Sequence, residues 1–209
     1  SLIDSEYFSF GGLVNLNGTV DNVFDINSVN ADLRIDSLRV SDIEYGTLQL
    51  SAQDDGKGAQ TSIDLDINHP EKDQRFQATG TLSPQNSEDF YDLSVLSKEM
   101  PLAMLEYLLY KSISNTKGSI SGYFTVDGAL AAPAVNGEAR IIDGQTKLDI
   151  LGVTYFIPEA KVEISPSYID FSDQRIYDTY DNEALIQGKL THDHFQDFVR
   201  IDSASCMMK

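Results

Sequence analysis

Tryptophan is absent, cysteine occurs once and histidine three times in this chain of 209 residues. A lone cysteine excludes an internal disulfide, so cystines give no reading of redox compartment. Three His and one Cys leave little material for metal or thiol chemistry. Basic residues are scarce as well: 15 Lys and Arg stand against 33 Asp and Glu, a net charge of −18 at pH 7. A chain this acidic repels phosphate, which argues against nucleic acid as a partner and against docking on an anionic membrane surface. Long apolar runs are missing. The longest, Met100 to Tyr110, is interrupted by Pro101 and Glu106 and is too short to span a bilayer. The first residue is Ser, and no charged segment leading into an apolar one follows it. The expectation is a chain that has lost a leader or been cut from a longer protein.

Hydrophobic residues make up 41% of the chain, enough for a core and far too many for disorder. Most of them recur with period two. Ile120, Phe124, Val126 and Leu130 alternate with Ser121, Thr125 and Asp127, with Gly122 and Gly128 in the apolar register. Val135, Ala139 and Ile141 alternate with Asn136, Glu138 and Arg140, and Val162 and Ile164 flank Glu163. Ile63, Leu65 and Ile67 alternate with Asp64 and Asp66, Leu48 and Leu50 flank Gln49, and Ile169 and Phe171 flank Asp170. Such alternation makes strands with one apolar and one wet face. Turn signals at Asp54-Asp55-Gly56, Asn68-His69-Pro70, Asp143-Gly144 and Ser165-Pro166-Ser167 separate the runs. The pattern predicts a mainly β, antiparallel architecture of about a dozen strands.

One segment breaks the alternation. Leu102, Leu105, Leu109 and Ile113 fall on one helical face, widened by Met104 and Leu108, with Pro101 in the first turn. The spacing predicts a single short amphipathic helix over 99–114, which either packs on the β core, the commoner case, or covers the open side of a groove or meets a membrane interface. It separates a β-rich unit, 1–98, from a second β module, 115–209. Together these read as one continuous elongated domain. A repeat also emerges: Gly80-Thr-Leu82 with Asp89-Phe90 matches Gly188-Lys-Leu190 with Asp197-Phe198 at the same spacing. Repetition at a long period fits a sheet extended by similar units.

Candidate chemistry is thin. His192 and His194 sit two apart, a workable metal spacing on one strand face, but no Cys or third His lies nearby. The Asp-rich turns at Asp54-Asp55 and at Asp178 to Asn182 lack the ligand order of a calcium loop and read as polar turns. No G-x-S-x-G elbow accompanies the serines. Cys206, beside Met207 and Met208, has no base partner in sequence. The expectation is a non-enzymatic chain with no catalytic residue, no metal and no cofactor.

The run from Gly118 to Ala139, Gly-Ser-Ile-Ser-Gly-Tyr-Phe-Thr-Val-Asp-Gly-Ala-Leu-Ala-Ala-Pro-Ala-Val-Asn-Gly-Glu-Ala, resembles a recurring signature of the TamB family. That family belongs to the AsmA-like bacterial envelope proteins. Asp149-Ile-Leu-Gly-Val-Thr-Tyr155-Phe resembles the tyrosine step of its Bacteroidetes-type members, with Leu151-Gly-Val in place of Leu-Asn-Thr. Tyr168-Ile-Asp-Phe171 resembles the strand that follows. Gly188-Lys-Leu-Thr-His192-Asp-His-Phe195-Gln-Asp-Phe198 resembles the ending, with Tyr180-Asp181-Asn182 replacing a Gly-Asn turn. The likeness runs from Ser94 to Ile201 and is architectural before that.

The resemblance implies a C-terminal fragment of a periplasmic protein anchored in the inner membrane. It implies a β-taco, a curled sheet with an apolar groove inside. It also implies roles in lipid transport, outer membrane biogenesis and protein secretion. Expected partners are phospholipid acyl chains and an outer-membrane β-barrel of the assembly machinery. The runner-up is a structural or chaperone-like scaffold for outer-membrane protein assembly. From the residues alone, a one-sided sheet can close on itself, pack a second sheet or hold lipid. Phe124, Val126, Ile141, Ile150, Val162, Ile164, Phe171, Ile186 and Leu190 share the apolar register and are expected to line one interior surface. Small residues in that register, such as Gly122 and Gly137, either leave room for a guest or mark bends and close sheet approach.

Overall fold

A computed structural model describes residues 10–20, 29–41, 43–104, 106, 113–149, 152–171, 173–186, 188–194 and 196–202. They form fourteen strands: β1 Phe10–Val20, β2 Val29–Val40, β3 Ile43–Asp54, β4 Thr61–Asn68, β5 Arg75–Leu82, β6 Tyr91–Pro101, β7 Ile113–Ala129, β8 Ala132–Leu148, β9 Val153–Ile164, β10 Tyr168–Asp170, β11 Gln174–Asp178, β12 Glu183–Ile186, β13 Lys189–Asp193 and β14 Gln196–Asp202. The fold is mainly β and antiparallel, as the alternation predicts.

The predicted helix is corrected at both ends. Met100 and Pro101 belong to β6, and Ile113 opens β7. Between them, Leu102–Met104 make one 3₁₀ turn, with Leu102 buried, and Glu106 is helical. Leu105 and Leu109 lie outside the described residues. Helical spacing here competes with sheet pairing on both sides, and β-branched Ile113 suits a strand better than a helix. Glu106 ties the segment to β7, its carboxylate accepting the Thr116 N–H.

The chain divides into two units, one of residues 1–98 and 125–133, the other of 99–124 and 134–209. In the first, β1 to β6 pair in chain order as a meander. Directly opposed residues share a face in an antiparallel pair. The register therefore lines up Leu16, Leu33, Leu50, Leu65, Ala78 and Val95 in one row. Val14, Ile35, Leu48, Ile67, Phe76 and Ser97 make a second row on the same face. Gly18, Ala31, Ala52, Ile63, Gly80 and Leu93 make a third. The opposite face carries Asn15, Arg34, Gln49, Asp66 and Gln77, then Asn17, Asp32, Ser51, Asp64 and Thr79.

Backbone irregularities align across the first strands. Pairing slips between Gly11 and Leu13 in β1 and around Leu38 in β2, where Ser37 has a φ of 52°. Gly46 follows in β3 with φ 92°, and a Cβ there would lie 2.3 Å from the Asn68 carbonyl oxygen. Only glycine fits that approach. Bulges of this kind bend a sheet and increase its twist. The tip of the β7–β8 hairpin joins this unit through Phe90 N–H to the Gly128 carbonyl, 2.7 Å, and Leu130 N–H to the Ser87 carbonyl, 2.9 Å.

In the second unit β9 is shared. Its C-terminal end pairs with β10, which leads on to β13 and β14, and its N-terminal part pairs with β11, which holds β12. The Asp143-Gly144 turn signal does not mark a turn. It lies inside the 17-residue β8, where Asp143 has a φ of 50°. Asp tolerates the left-handed region, so a turn-forming dipeptide can also stand inside a strand. The reversal comes later, between the end of β8 at Leu148 and the start of β9 at Val153, where Gly152 N–H donates to the Leu148 carbonyl at 2.8 Å. The predicted repeat also fails as structure. Leu82 pairs with Tyr91, whereas Leu190 pairs with Ile201, two residues beyond the equivalent position.

Candidate functional site

An apolar sheet face is the most distinctive surface of the first unit. None of the apolar side chains described in its three rows is buried; they are half-buried or exposed. At the β1 end, Val14 is 50% and Leu16 72% exposed. Fully burying a Leu or Ile side chain stabilises by about 1.5–3 kcal/mol, so a half-exposed row leaves a sizeable part of that unrealised. Among the described residues the buried apolar side chains number seven, and in this unit they are Leu38 and Tyr45.

The opposite face of the same strands is polar and slightly hollow. A trough of about 620 Å³ runs over Asn15, Asn17, Asp32, Arg34, Gln49 and Asp66, among others. Arg75 Nε meets Asp66 Oδ1 at 2.7 Å, and Arg34 meets Asp36 at 2.8 Å. Both pairs are largely exposed and contribute little to stability.

The second unit holds most of the residues singled out by sequence. Ile141 opposes Ala160, Ala139 opposes Val162, and Gly137 opposes Ile164, which in turn opposes Ile169. Ile169 also opposes the Leu190 position. Phe124 belongs to the same face. A Cβ built on Gly122 would lie 2.6 Å from the Phe124 ring, and one on Gly137 would lie 2.7 Å from it. The ring therefore lies across two glycines, and those glycines leave space for Phe124 rather than for a guest. This is the covering of a glycine by a cross-strand aromatic. Ala139, Ala160 and Val162 are buried, while Phe124, Ile141 and Ile164 are half-buried.

The remaining candidates are spread. Val126 is half-buried and falls in the first unit. Phe171 follows β10 and donates its N–H to the Gly188 carbonyl at 3.0 Å. Ile186 opposes Gln174 in the β11–β12 hairpin, off the main path of strands. Ile150 lies outside the described residues. Sequence reading missed Leu16, Leu33, Ile35 and Phe76 as members of an open face. The alternation Leu33-Arg34-Ile35 carried the signal, but an exposed face and a covered one alternate alike.

The candidate ligand groups are engaged elsewhere. His192 and His194 do not share a strand face, because pairing slips between Thr191 and Asp193 and His194 enters the turn with φ 48°. Their N–H groups clasp the 165–167 loop, His192 to the Ser167 carbonyl and His194 to the Pro166 carbonyl, both at 3.0 Å. Burial, and then the nearby His194, hold the His192 imidazole below its ordinary pKa. In the Asp turns, Asp55 Oδ1 accepts the Lys57 and Ala59 N–H groups, at 2.8 and 3.2 Å. Asp178 accepts the Asn182 side-chain amide at 2.8 Å and the Tyr180 and Asn182 N–H groups. These bonds lower the pKa of both carboxyls. His69, read in sequence only as part of the Asn68-His69-Pro70 turn signal, is buried and caps that turn, Nδ1 accepting the Glu71 and Lys72 N–H groups at 3.2 Å. Among the described residues no group of three His, Cys, Asp or Glu is placed to hold a metal ion.

Fold and face together define a class: an antiparallel β protein whose sheet is apolar on one side and polar on the other. No family model, curated protein or solved structure matches the chain. Among the described residues no helix is long and apolar enough to cross a membrane.

Proposed function

We propose that the chain is a segment of a TamB/AsmA-like, periplasm-spanning envelope protein, and that its apolar sheet face shields phospholipid acyl chains between the inner and outer membranes. The role is non-enzymatic. One observation carries the reading: three apolar rows cross six strands of the first unit, and none of their described apolar side chains is buried. A sheet face of this kind needs an apolar cover. Hydrocarbon chains cover it as well as side chains do, at about 25 cal/mol per Å² of area removed from water. The resemblance from Ser94 to Ile201 supports the same assignment.

The test places charge on the face. Leu50→Glu and Leu65→Glu occupy the central row, and a carboxylate there opposes hydrocarbon with a cost of several kcal/mol. Both variants should keep the β circular dichroism of the parent and lose capture of a radiolabelled phospholipid from liposomes. Gln49→Glu and Asp64→Asn, on the polar face, should keep both. Unimpaired capture by the Leu50 and Leu65 variants would overturn the proposal, and so would unfolding of both, which would mark a packed core.

A further inference from the structure

The Asp54-Asp55-Gly56 turn holds a chemistry that the proposed function does not use. An Asp or Asn ahead of a glycine can close onto the glycine nitrogen, because glycine has no side chain to obstruct the ring. The chain has five such pairs: Asn17-Gly18, Asp55-Gly56, Asp127-Gly128, Asn136-Gly137 and Asp143-Gly144. Four of them lie inside β1, β7 and β8. A strand side chain stands roughly perpendicular to its sheet, away from the next nitrogen. Asp55-Gly56 is the pair that lies between strands, after β3 and before β4.

The geometry of this turn favours ring closure in three ways. Asp55 Oδ1 accepts the Lys57 N–H at 2.8 Å, two residues on, which brings the carboxyl back over the Gly56 peptide. Gly56 donates its N–H to Asp54 Oδ2 at 2.8 Å, so a base stands at the nitrogen that must lose its proton. Asp55 and Gly56 are both exposed, and a Cβ built on Gly56 would meet nothing within 4 Å. A five-membered ring has room to form there.

We infer that Asp55 is a site of self-modification, where the chain closes to a succinimide and reopens to isoaspartate. The Gly56 nitrogen attacks Cγ of the protonated Asp55 carboxyl. The new N–C bond forms as the bond from Cγ to the carboxyl hydroxyl breaks. The nitrogen's proton passes to Asp54 and from there to the departing hydroxyl, which leaves as water. A second water then opens the ring. Attack at the side-chain carbonyl restores aspartate. Attack at the main-chain carbonyl leaves isoaspartate, with the main chain one carbon longer between β3 and β4. The Lys57 N–H foremost holds the Asp55 carboxyl below its ordinary pKa, and the Lys57 ammonium adds a smaller attraction. A charged carboxylate is a poor electrophile, so the reaction is slow at about pH 7 and quickens as pH falls towards the range of the carboxyl.

The test follows the full chain through weeks in buffer at about pH 5 and about pH 7. Peptide mass spectrometry reads the ring as a species one water lighter, and electron-transfer fragmentation tells isoaspartate from aspartate. Conversion at Asp55 should run about tenfold or more ahead of Asp127 and Asp143, and faster at the lower pH. Asp54→Asn keeps a hydrogen-bond acceptor beside Gly56 but cannot take its proton. It should slow conversion by about tenfold or more, with circular dichroism unchanged. Asp55→Asn should reach the same ring by losing ammonia in place of water, and at the higher pH as well. A parent chain unaltered at Asp55, or one in which Asp127 or Asp143 converts as fast, overturns the proposal. An Asp54→Asn variant that converts at the parent's rate, or an Asp55→Asn chain that keeps its ammonia, overturns it equally.

Discussion

At residue 124 a single aromatic ring decides how a sheet face is filled. Phe124 lies across Gly122 on its own strand and Gly137 on the next, where a Cβ on Gly137 would come within 2.2 Å of the Tyr123 carbonyl oxygen. Glycine at 137 is thus required by the backbone and covered by the ring. Phe124→Ala should cost about 2 kcal/mol in chemical denaturation, below the 3–5 kcal/mol typical of a fully buried ring, because Phe124 is half-buried. Gly137→Ala should destabilise further, since the neighbouring strand must move. Asp178 provides a pH test at the same scale. The Asn182 side chain, and then N–H donors from the turn, hold its carboxyl below the usual carboxylate range. A lowered folded-state pKa contributes stability that is complete above the unfolded value, about 3.9, and is lost as pH falls through the folded one. Carbon-13 NMR titration should place Asp178 below the ordinary aspartate value, and Asn182→Ala should move it back towards that value. The polar turn at Asp178 to Asn182 was legible in the sequence, but the donors its carboxylate takes and the ring over the glycines were not. Alternation records which side of a strand a residue takes and is silent on what lies above it.

Elements were read with uneven success, for identifiable reasons. Strands carried by strict alternation, such as β4 with Ile63, Leu65 and Ile67, stand where the pattern puts them. Failures arose where one local signal serves two structures. Asp143-Gly144 suits a hairpin turn and a left-handed residue inside a strand alike, and the long, unbroken pairing of β8 with β9 selects the strand. Met100 to Ile113 has helical spacing, yet its ends are taken up by β6 and β7. The left-handed conformation of Asp143 gives a two-sided prediction. Asp143→Gly should hold or raise the melting temperature, because glycine adopts positive φ freely. Asp143→Val should lower stability by about 1–2 kcal/mol, the cost of forcing a β-branched residue into the left-handed region. Equal melting temperatures for the two variants would contradict a left-handed residue at 143. Strand β13 has its own pH signature. His192 is buried with a depressed pKa, so the folded chain resists its protonation. That penalty is nil above the unfolded value near 6.5 and grows as pH falls below it. His192→Gln should flatten the loss of stability between about pH 6.5 and 5 in urea denaturation.

For the molecule as a whole, the sequence made plain a sheet with one apolar face but not which part of that face lies open. Both units alternate alike; the difference is in cover, since Ala139, Ala160 and Val162 are buried in one while Leu33, Leu50 and Leu65 are half-buried in the other. The groove candidates taken from the second half therefore include residues that touch their own neighbours, and the wider open rows lie in the first half. The proposed lipid role depends on those rows. It is tested most directly by residue-level photo-crosslinking to phospholipid. A benzoyl-phenylalanine placed in turn at Gln49, Leu50, Asp64 and Leu65 samples both faces of β3 and β4 at adjoining positions, in chain incubated with tritiated phospholipid liposomes. Label should enter at positions 50 and 65 and be absent at 49 and 64. Label at 49 and 64, or at none of the four in folded chain, would contradict the account.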